Sequence, residues 1–138
     1  VIADQFAAGA ARDITTPDAV REHWRILDVG PQTIHAFGEA LADAEMIIWN
    51  GTLGVAEFPA FARGTQALIH LLEERTAAGA ITIIGGGDSA AAVEAAGAAA
   101  KMTHVSTGGG ASLEFLEGRT LPGVAALAEP EQLKGAGA

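Results

Sequence analysis

A parallel α/β sheet with helices on both faces is the architecture this chain predicts, from three observations. Short, largely apolar runs alternate with segments whose apolar residues recur at helical spacing. Three of those runs stop in glycine: EMIIW before Asn50 and Gly51, ITII before Gly85 to Gly87, and THVS before Thr107 and Gly108 to Gly110. Each glycine stop leads into a segment that starts a helix. Strands without polar alternation are buried on both sides, as in a sheet whose right-handed crossover helices lie above and below it. Ligands of such sheets bind beyond the carboxyl ends of the strands, so the three glycine loops are expected to converge on one site.

In chain order, Val1 to Phe6 predicts a short strand, and Thr15, Thr16, Pro17 and Asp18 a turn or helix start before Ala19 to His23. Arg25 to Val29 is extended and is halted by Gly30 and Pro31. Gln32 to Ala42 then places Ile34, Phe37, Ala40 and Leu41 on one helix face. Glu45 to Trp49 is a buried strand closed by Asn50, Gly51, Thr52, Leu53 and Gly54. Phe58 to Ala78 is the longest helix, with Pro59 in its first turn, Phe61, Leu68, Leu71 and Leu72 on one face, and Gly79 as its stop. Ile81 to Ile84 follows as a strand, Gly85 to Gly87 as a turn, and a helix opened by Asp88 and Ser89 runs to about Gly97. Thr103 to Ser106 is the last strand; it runs into Gly108, Gly109, Gly110, Ala111 and Ser112 and then into a short helix through Leu116 and Glu117. LPGVAAL from Leu121 reads as an ordered return, and Gly135 to Ala138 as a frayed or vector-derived tail.

The composition excludes several classes of function. With 138 residues, 49% hydrophobic and 18% charged, the chain has enough apolar surface for one globular domain. Its net charge of −9 and its scattered Lys and Arg give no footing for nucleic acid or a membrane surface. Without cysteine there is no disulfide or thiolate metal site, which suits a reducing compartment. No apolar run reaches the roughly 20 residues of a membrane span, so a soluble, cytoplasmic protein is expected. The chain opens at Val1 inside an apolar run with no Met before it, and reads as a piece of something longer.

The loop at Gly85, Gly86, Gly87, Asp88 and Ser89 has the form of an anion site, because backbone amides without side chains can close on a phosphate at the positive end of a helix. A Walker A loop is excluded, since neither Lys101 nor Lys134 is near a glycine loop. Gly85, Gly87 and Ala90 match a dinucleotide fingerprint, but the next strand ends in Ser106 and Thr107 and not in an acid, so a mononucleotide is the better reading. Asp88 has two readings: an N-cap carboxylate, or a ligand of Mg²⁺ held on nucleotide phosphates. Gly109 and Gly110 are a tight turn or a second cluster of amides for an anion, and two anion sites suit a phosphoryl donor and acceptor. Glu57 is a first-turn acid or an acceptor for a ribose hydroxyl. His23, His35, His70 and His104 lack metal-ligand spacing and read as surface or satisfied core residues, and Trp49 as core. Ser89, Ser106 and Ser112 lie in no nucleophile elbow.

WNGTLGVAEFPAFARGT at Trp49 to Thr65, TIIGGGDSAAAVE at Thr82 to Glu94, HVSTGGGASLEFLEG at His104 to Gly118, the LPGVAAL after it and LDVGP at Leu27 to Pro31 together resemble the phosphoglycerate kinase family, over about Ile2 to Leu127. The resemblance implies the later part of that enzyme's C-terminal, nucleotide-binding domain, a three-layer Rossmann-like unit that is incomplete here, with 1–127 as the partial domain and 128–138 as a tail. It implies phosphoryl transfer between 1,3-bisphosphoglycerate and Mg-ADP, giving 3-phosphoglycerate and ATP, in a monomeric full enzyme. Position by position it makes Gly86, Gly87, Asp88 and Ser89 the phosphate and magnesium loop, with Asp88 the metal carboxylate. Asn50, Gly51, Gly54 and Val55 line the nucleotide, Glu57 is the ribose acid, and Gly108, Gly109 and Gly110 meet the transferring phosphoryl group.

The family pattern is departed from at Thr52, where proline is usual, at Ala56, where phenylalanine is usual, and at Ile26, where glycine near the adenine is common. These imply an altered adenine and ribose wall. The family's N-terminal domain, with its basic phosphoglycerate site, and the first strands of its nucleotide domain, with a glycine-lysine loop, have no counterpart in this sequence. The expectation is a kinase segment inactive by itself, with unpaired strand edges. The rival reading is a non-catalytic nucleotide-binding or scaffold module built from the same half-domain, and an unrelated dinucleotide oxidoreductase is disfavoured by the missing ribose acid.

Overall fold

A computed structural model describes residues 1–127, so the tail at 128–138 lies outside the described residues. Three strands form the predicted parallel sheet: β4 (Met46–Asn50), β5 (Ile81–Gly85) and β6 (His104–Ser106), in the order β4-β5-β6. β4 and β5 are joined through α2 (Arg63–Ala77), and β5 and β6 through α3 (Gly87–Ala95). The register sets Asn50 beside Gly85 and Gly85 beside Ser106, so all three strands end level at one edge.

The two faces of this sheet differ. Ile47, Trp49 and Ile84 point into a core closed by Leu68, Ile69 and Leu72 of α2 and by Val93, Ala98 and Met102. Thr82 is buried on the same face because its hydroxyl is satisfied, 2.7 Å from the Thr76 hydroxyl and accepting the Thr103 amide at 3.1 Å. On the opposite face Met46, Ile48 and Ile81 remain 55%, 41% and 42% exposed. Among the described residues, α4 (Gly109–Leu116) and Leu121 after it reach this side, where Leu113, Leu116 and Leu121 share a groove with Ile48, Ile83 and His104.

The first extended segments do not join the parallel sheet. The strand expected over Val1 to Phe6 shortens to β1 (Ile2–Ala3), which pairs antiparallel with β2 (Arg12–Asp13) and with β3 (Arg25–Ile26) in a separate small sheet. A parallel neighbour needs a long crossover, and the stretch between β1 and β2 contains no helix to make one. The turn or helix start expected before Ala19 to His23 is a 3₁₀ turn at Pro17–Ala19 that does not extend into a longer helix, and His23 has φ 65°. The helix expected over Gln32 to Ala42 is α1 (Pro31–Leu41), which takes Pro31 into its first turn, and its Ile34 and Phe37 line a cleft with Ala67, Leu68 and Leu71 of α2.

The long helix expected over Phe58 to Ala78 divides into a 3₁₀ turn at Pro59–Phe61 and α2. Phe61 is fully buried with Ala3, Ala10 and Leu27 in a second core under the small sheet, so the chain turns between two cores at this point. Gly79 ends α2 at φ 103°, a conformation that costs a glycine nothing. After α4, a last turn of helix, α5 (Pro122–Ala125), provides the expected ordered return.

Candidate functional site

The three glycine loops meet at the carboxyl edge of β4, β5 and β6, and Asn50 is the residue on which they meet. Its side-chain amide donates to the Gly109 carbonyl at 3.2 Å, and the space beside Gly85 and Gly86 is filled by the same side chain. Gly86 has φ 96°, and a Cβ on it would stand 2.8 Å from Asn50 Oδ1. A Cβ on Gly109 would stand 2.9 Å from Gly86 Cα, so the starts of α3 and α4 touch backbone to backbone. Glycine is required here for contact between loops as well as for access to a ligand. Gly109→Ala is expected to push α4 away from Gly86 and to lower stability by about 1 kcal/mol. Gly110→Ala, with nothing within 4 Å, should be neutral or slightly stabilising, and paired melting curves compare the two.

Gly86 caps α3, and no side chain caps it. Asp88 is the second residue of the helix and not its cap; it is exposed and makes no hydrogen bond among the described residues. The capping reading of Asp88 is therefore corrected, and its carboxylate is free beside the amides of Gly87 and Asp88. Ser89 points the other way. It is fully buried, and its hydroxyl accepts the Gly51 amide at 2.8 Å. The indole N–H of Trp49 donates to the Gly51 carbonyl at 2.5 Å, so Gly51, at φ 94°, is held from both sides.

Beyond Gly51 the loop runs over buried supports. The Leu53 amide donates to the Thr65 hydroxyl at 3.1 Å, and the Val55 amide to the Leu27 carbonyl at 2.9 Å. Gly54 packs directly on the carboxylate of Asp28 and on the Phe61 carbonyl, leaving no room for a Cβ. Glu57 is exposed in the turn closed by the Phe58 amide on the Val55 carbonyl at 3.0 Å, before any helix begins, so it is not a first-turn acid. At the third loop, Gly108 donates to Ser106 Oγ at 3.2 Å and Gly109 to the Thr107 carbonyl at 3.2 Å. Two of its three glycine amides are thus turned onto the chain's own oxygens, and only Gly110 faces no such partner among the described residues.

Asp28 and Thr65, 2% and 1% exposed, are parts of the site that sequence reasoning missed. The signal for Asp28 is a single acid inside the apolar LDVGP, since an unpaired charge is not placed in a core without a partner. All four histidines are exposed, and among the described residues no three His, Asp or Glu side chains come together to hold a metal. The Glu73 carboxyl, hydrogen-bonded by Lys101 at 2.9 Å, is held below its ordinary value chiefly by that bond, on the outer side of α2 away from the loops. The arrangement can present amides and one carboxylate to a polyanion and its divalent cation.

The sequence profile of phosphoglycerate kinase matches residues 1–119. The chain is 57% identical to the phosphoglycerate kinase of Rippkaea orientalis over 94% of its length, and 59% identical to a chloroplastic phosphoglycerate kinase of Volvox carteri over 94% of its length. The solved structure of phosphoglycerate kinase from Coxiella burnetii superposes with a TM-score of 0.80 at 41% identity, covering 90% of this chain and 31% of that one. The chain spans 32% and 28% of the two curated relatives, about a third of their length.

Proposed function

Because the chain belongs to the phosphoglycerate kinase family, we propose that it forms one wall of a nucleotide site for phosphoryl transfer between 1,3-bisphosphoglycerate and Mg-ADP. The observation that carries this reading is the bare, uncapped start of α3, with Asp88 free beside it, at the edge where all three glycine loops meet. In the forward direction an ADP β-phosphate oxygen bonds to phosphorus as the bond from phosphorus to the acyl oxygen breaks, leaving 3-phosphoglycerate and ATP. Gly86 and Gly87 hold the nucleotide phosphates by backbone amides. Gly108, Gly109 and Gly110 receive the transferring group, with Gly110 already free and the other two amides exchanging their internal acceptors for phosphoryl oxygens. Asn50, Gly51, Gly54 and Val55 line the nucleotide, and Glu57 accepts from the ribose. Ser89 belongs to this loop through Gly51, which it positions.

Magnesium fits the residues present. Asp88 offers one exposed carboxylate with no competing bond, and Mg²⁺ binds through one or two carboxylates together with substrate phosphates and water. When bound it neutralises charge on the phosphates, while Asp88 fixes where that charge is met. Residues 1–127 are proposed as part of the C-terminal domain, with the phosphoglycerate bound by protein outside this sequence. The cytosol is its proposed compartment, and among the described residues no helix is long and apolar enough to cross a membrane.

Titrating Mg-ADP into the chain in a calorimeter tests the reading. Saturable binding supports it, and no heat at millimolar nucleotide overturns it. The half-buried Ala56 sits between Val55 and Glu57, where a larger side chain would extend the loop's apolar wall. Ala56→Phe is expected to tighten Mg-ADP by up to about tenfold, the worth of partly burying an aromatic ring. An unchanged affinity would show that the loss of the aromatic does not weaken the wall.

A further inference from the structure

We propose that Asp28 is a positioning residue for the nucleotide loop: a buried carboxylate that sets the path of Leu53 to Val55 and through it the affinity for the nucleotide. The proposal rests on the nucleotide reading of that loop. Asp28 is 2% exposed and forms no ion pair among the described residues. Its charge is met by amides instead. Oδ1 accepts the Val29 amide at 2.8 Å and Oδ2 the Gly64 amide at 3.0 Å. Gly64 is the second residue of α2, so the carboxylate sits against the positive end of that helix, which compensates part of the lost hydration.

The same carboxylate has glycine on two sides. Cβ atoms built on Gly54 or on Gly64 would fall inside Oδ1, so both backbones approach Asp28 as closely as a residue without a side chain allows. Three segments are thereby locked together: Leu27 to Val29, the Gly54 loop and the first turn of α2. The flanking amides are bonded to the same unit, Val55 to the Leu27 carbonyl and Leu53 to the Thr65 hydroxyl. Gly54 has no freedom to shift toward its support, and Val55 and Glu57 follow from it at fixed positions. A neutral amide in place of the carboxylate would turn an N–H₂ toward one of the two amides, leaving a buried donor facing a donor.

Asp28→Asn in the full 138-residue chain tests this, with Met102→Ala as a control. Met102 is buried beneath the sheet near the start of β6, away from the loops, so its truncation lowers stability without touching them. Two measurements are made at a temperature where both variants stay folded: Mg-ADP affinity by calorimetry, and hydrogen exchange of the amides from Gly51 to Val55 and at Gly64 without nucleotide. Asp28→Asn is expected to weaken Mg-ADP about tenfold and to speed loop exchange by a similar factor, the effect of one unsatisfied buried donor. Met102→Ala is expected to lower the Tm at least as much and to leave the affinity within about twofold. Equal affinity and equal loop exchange in Asp28→Asn and Met102→Ala would overturn the proposal. If the unaltered chain fails to bind Mg-ADP, the nucleotide reading falls by that result alone, and the loop exchange still decides whether Asp28 holds Gly54 in place.

Discussion

Mixing 1,3-bisphosphoglycerate and Mg-ADP with this chain alone is expected to yield no ATP above the uncatalysed background. Phosphoryl transfer is catalysed by positioning and by opposite charge placed around the moving group, and a single cationic side chain there is worth about 10³ to 10⁵ in rate. The loops provide amides and acids. Of the described cations, Lys101 is bonded to Glu73 at 2.9 Å, Arg119 to Glu117 at 2.8 Å, Arg12 to the Ala60 carbonyl at 2.7 Å, Arg75 to the Ala44 carbonyl at 3.2 Å and Arg21 to Asp13, while Arg25 lies in the small antiparallel sheet and Arg63 lines a cleft with Val1, Arg12 and His70. None of these reaches the Asn50, Gly86 or Gly108 loops. A coupled assay sensitive to a rate about 10³-fold below a typical kinase checks this, and ATP formed by the chain alone at that level would contradict it. Supplying the remaining two thirds of a related kinase should restore turnover, and should raise the Tm by covering Met46, Ile48 and Ile81 on the open sheet face. Nucleotide binding without turnover even in the completed assembly would favour the non-catalytic module.

Asp88→Asn is expected to weaken Mg-ADP by about ten- to a hundredfold and to leave ADP without magnesium bound as before or more tightly, since the lost charge repels free phosphate and attracts only the metal complex. Stability should fall by no more than about 0.3–1 kcal/mol, the worth of an acid in the first turn of a helix. A cap would behave in the opposite way, with a larger loss of stability and no difference between the two ligand forms. Calorimetry with and without magnesium, beside a melting curve, separates the outcomes. Equal losses for ADP and Mg-ADP would remove Asp88 from the metal role.

The elements with a strong period were legible in the sequence. β4, β5 and β6, the helices between them and the glycine stops follow from apolar runs and glycine, and the convergence of the loops follows from parallel strands ending at one edge. Segments whose partners are distant in sequence were less so. Phe61 fits a helical face with Leu68 and Leu72, yet its contacts with Ala3 and Leu27 take it into a second core and end the helix pattern there. Ser89 follows the glycines as a phosphate ligand would, but the Gly51 amide, 38 residues away, holds its hydroxyl inside. Local spacing carries no information about such a bond.

By itself, the sequence determined the chemistry on offer and the family: amides at three glycine loops, one acid at the start of a helix, and motifs long enough to place the chain among phosphoglycerate kinases. Only the tertiary structure decided what each polar group is free to do. Asp88 stays open to solvent while Ser89, Thr65 and Asp28 spend their hydrogen bonds on holding the loops, because a buried polar group must take a partner from the backbone that folding brings to it. Which acid meets a ligand and which one shapes its seat depends on burial, a property of packing that residue type does not reveal.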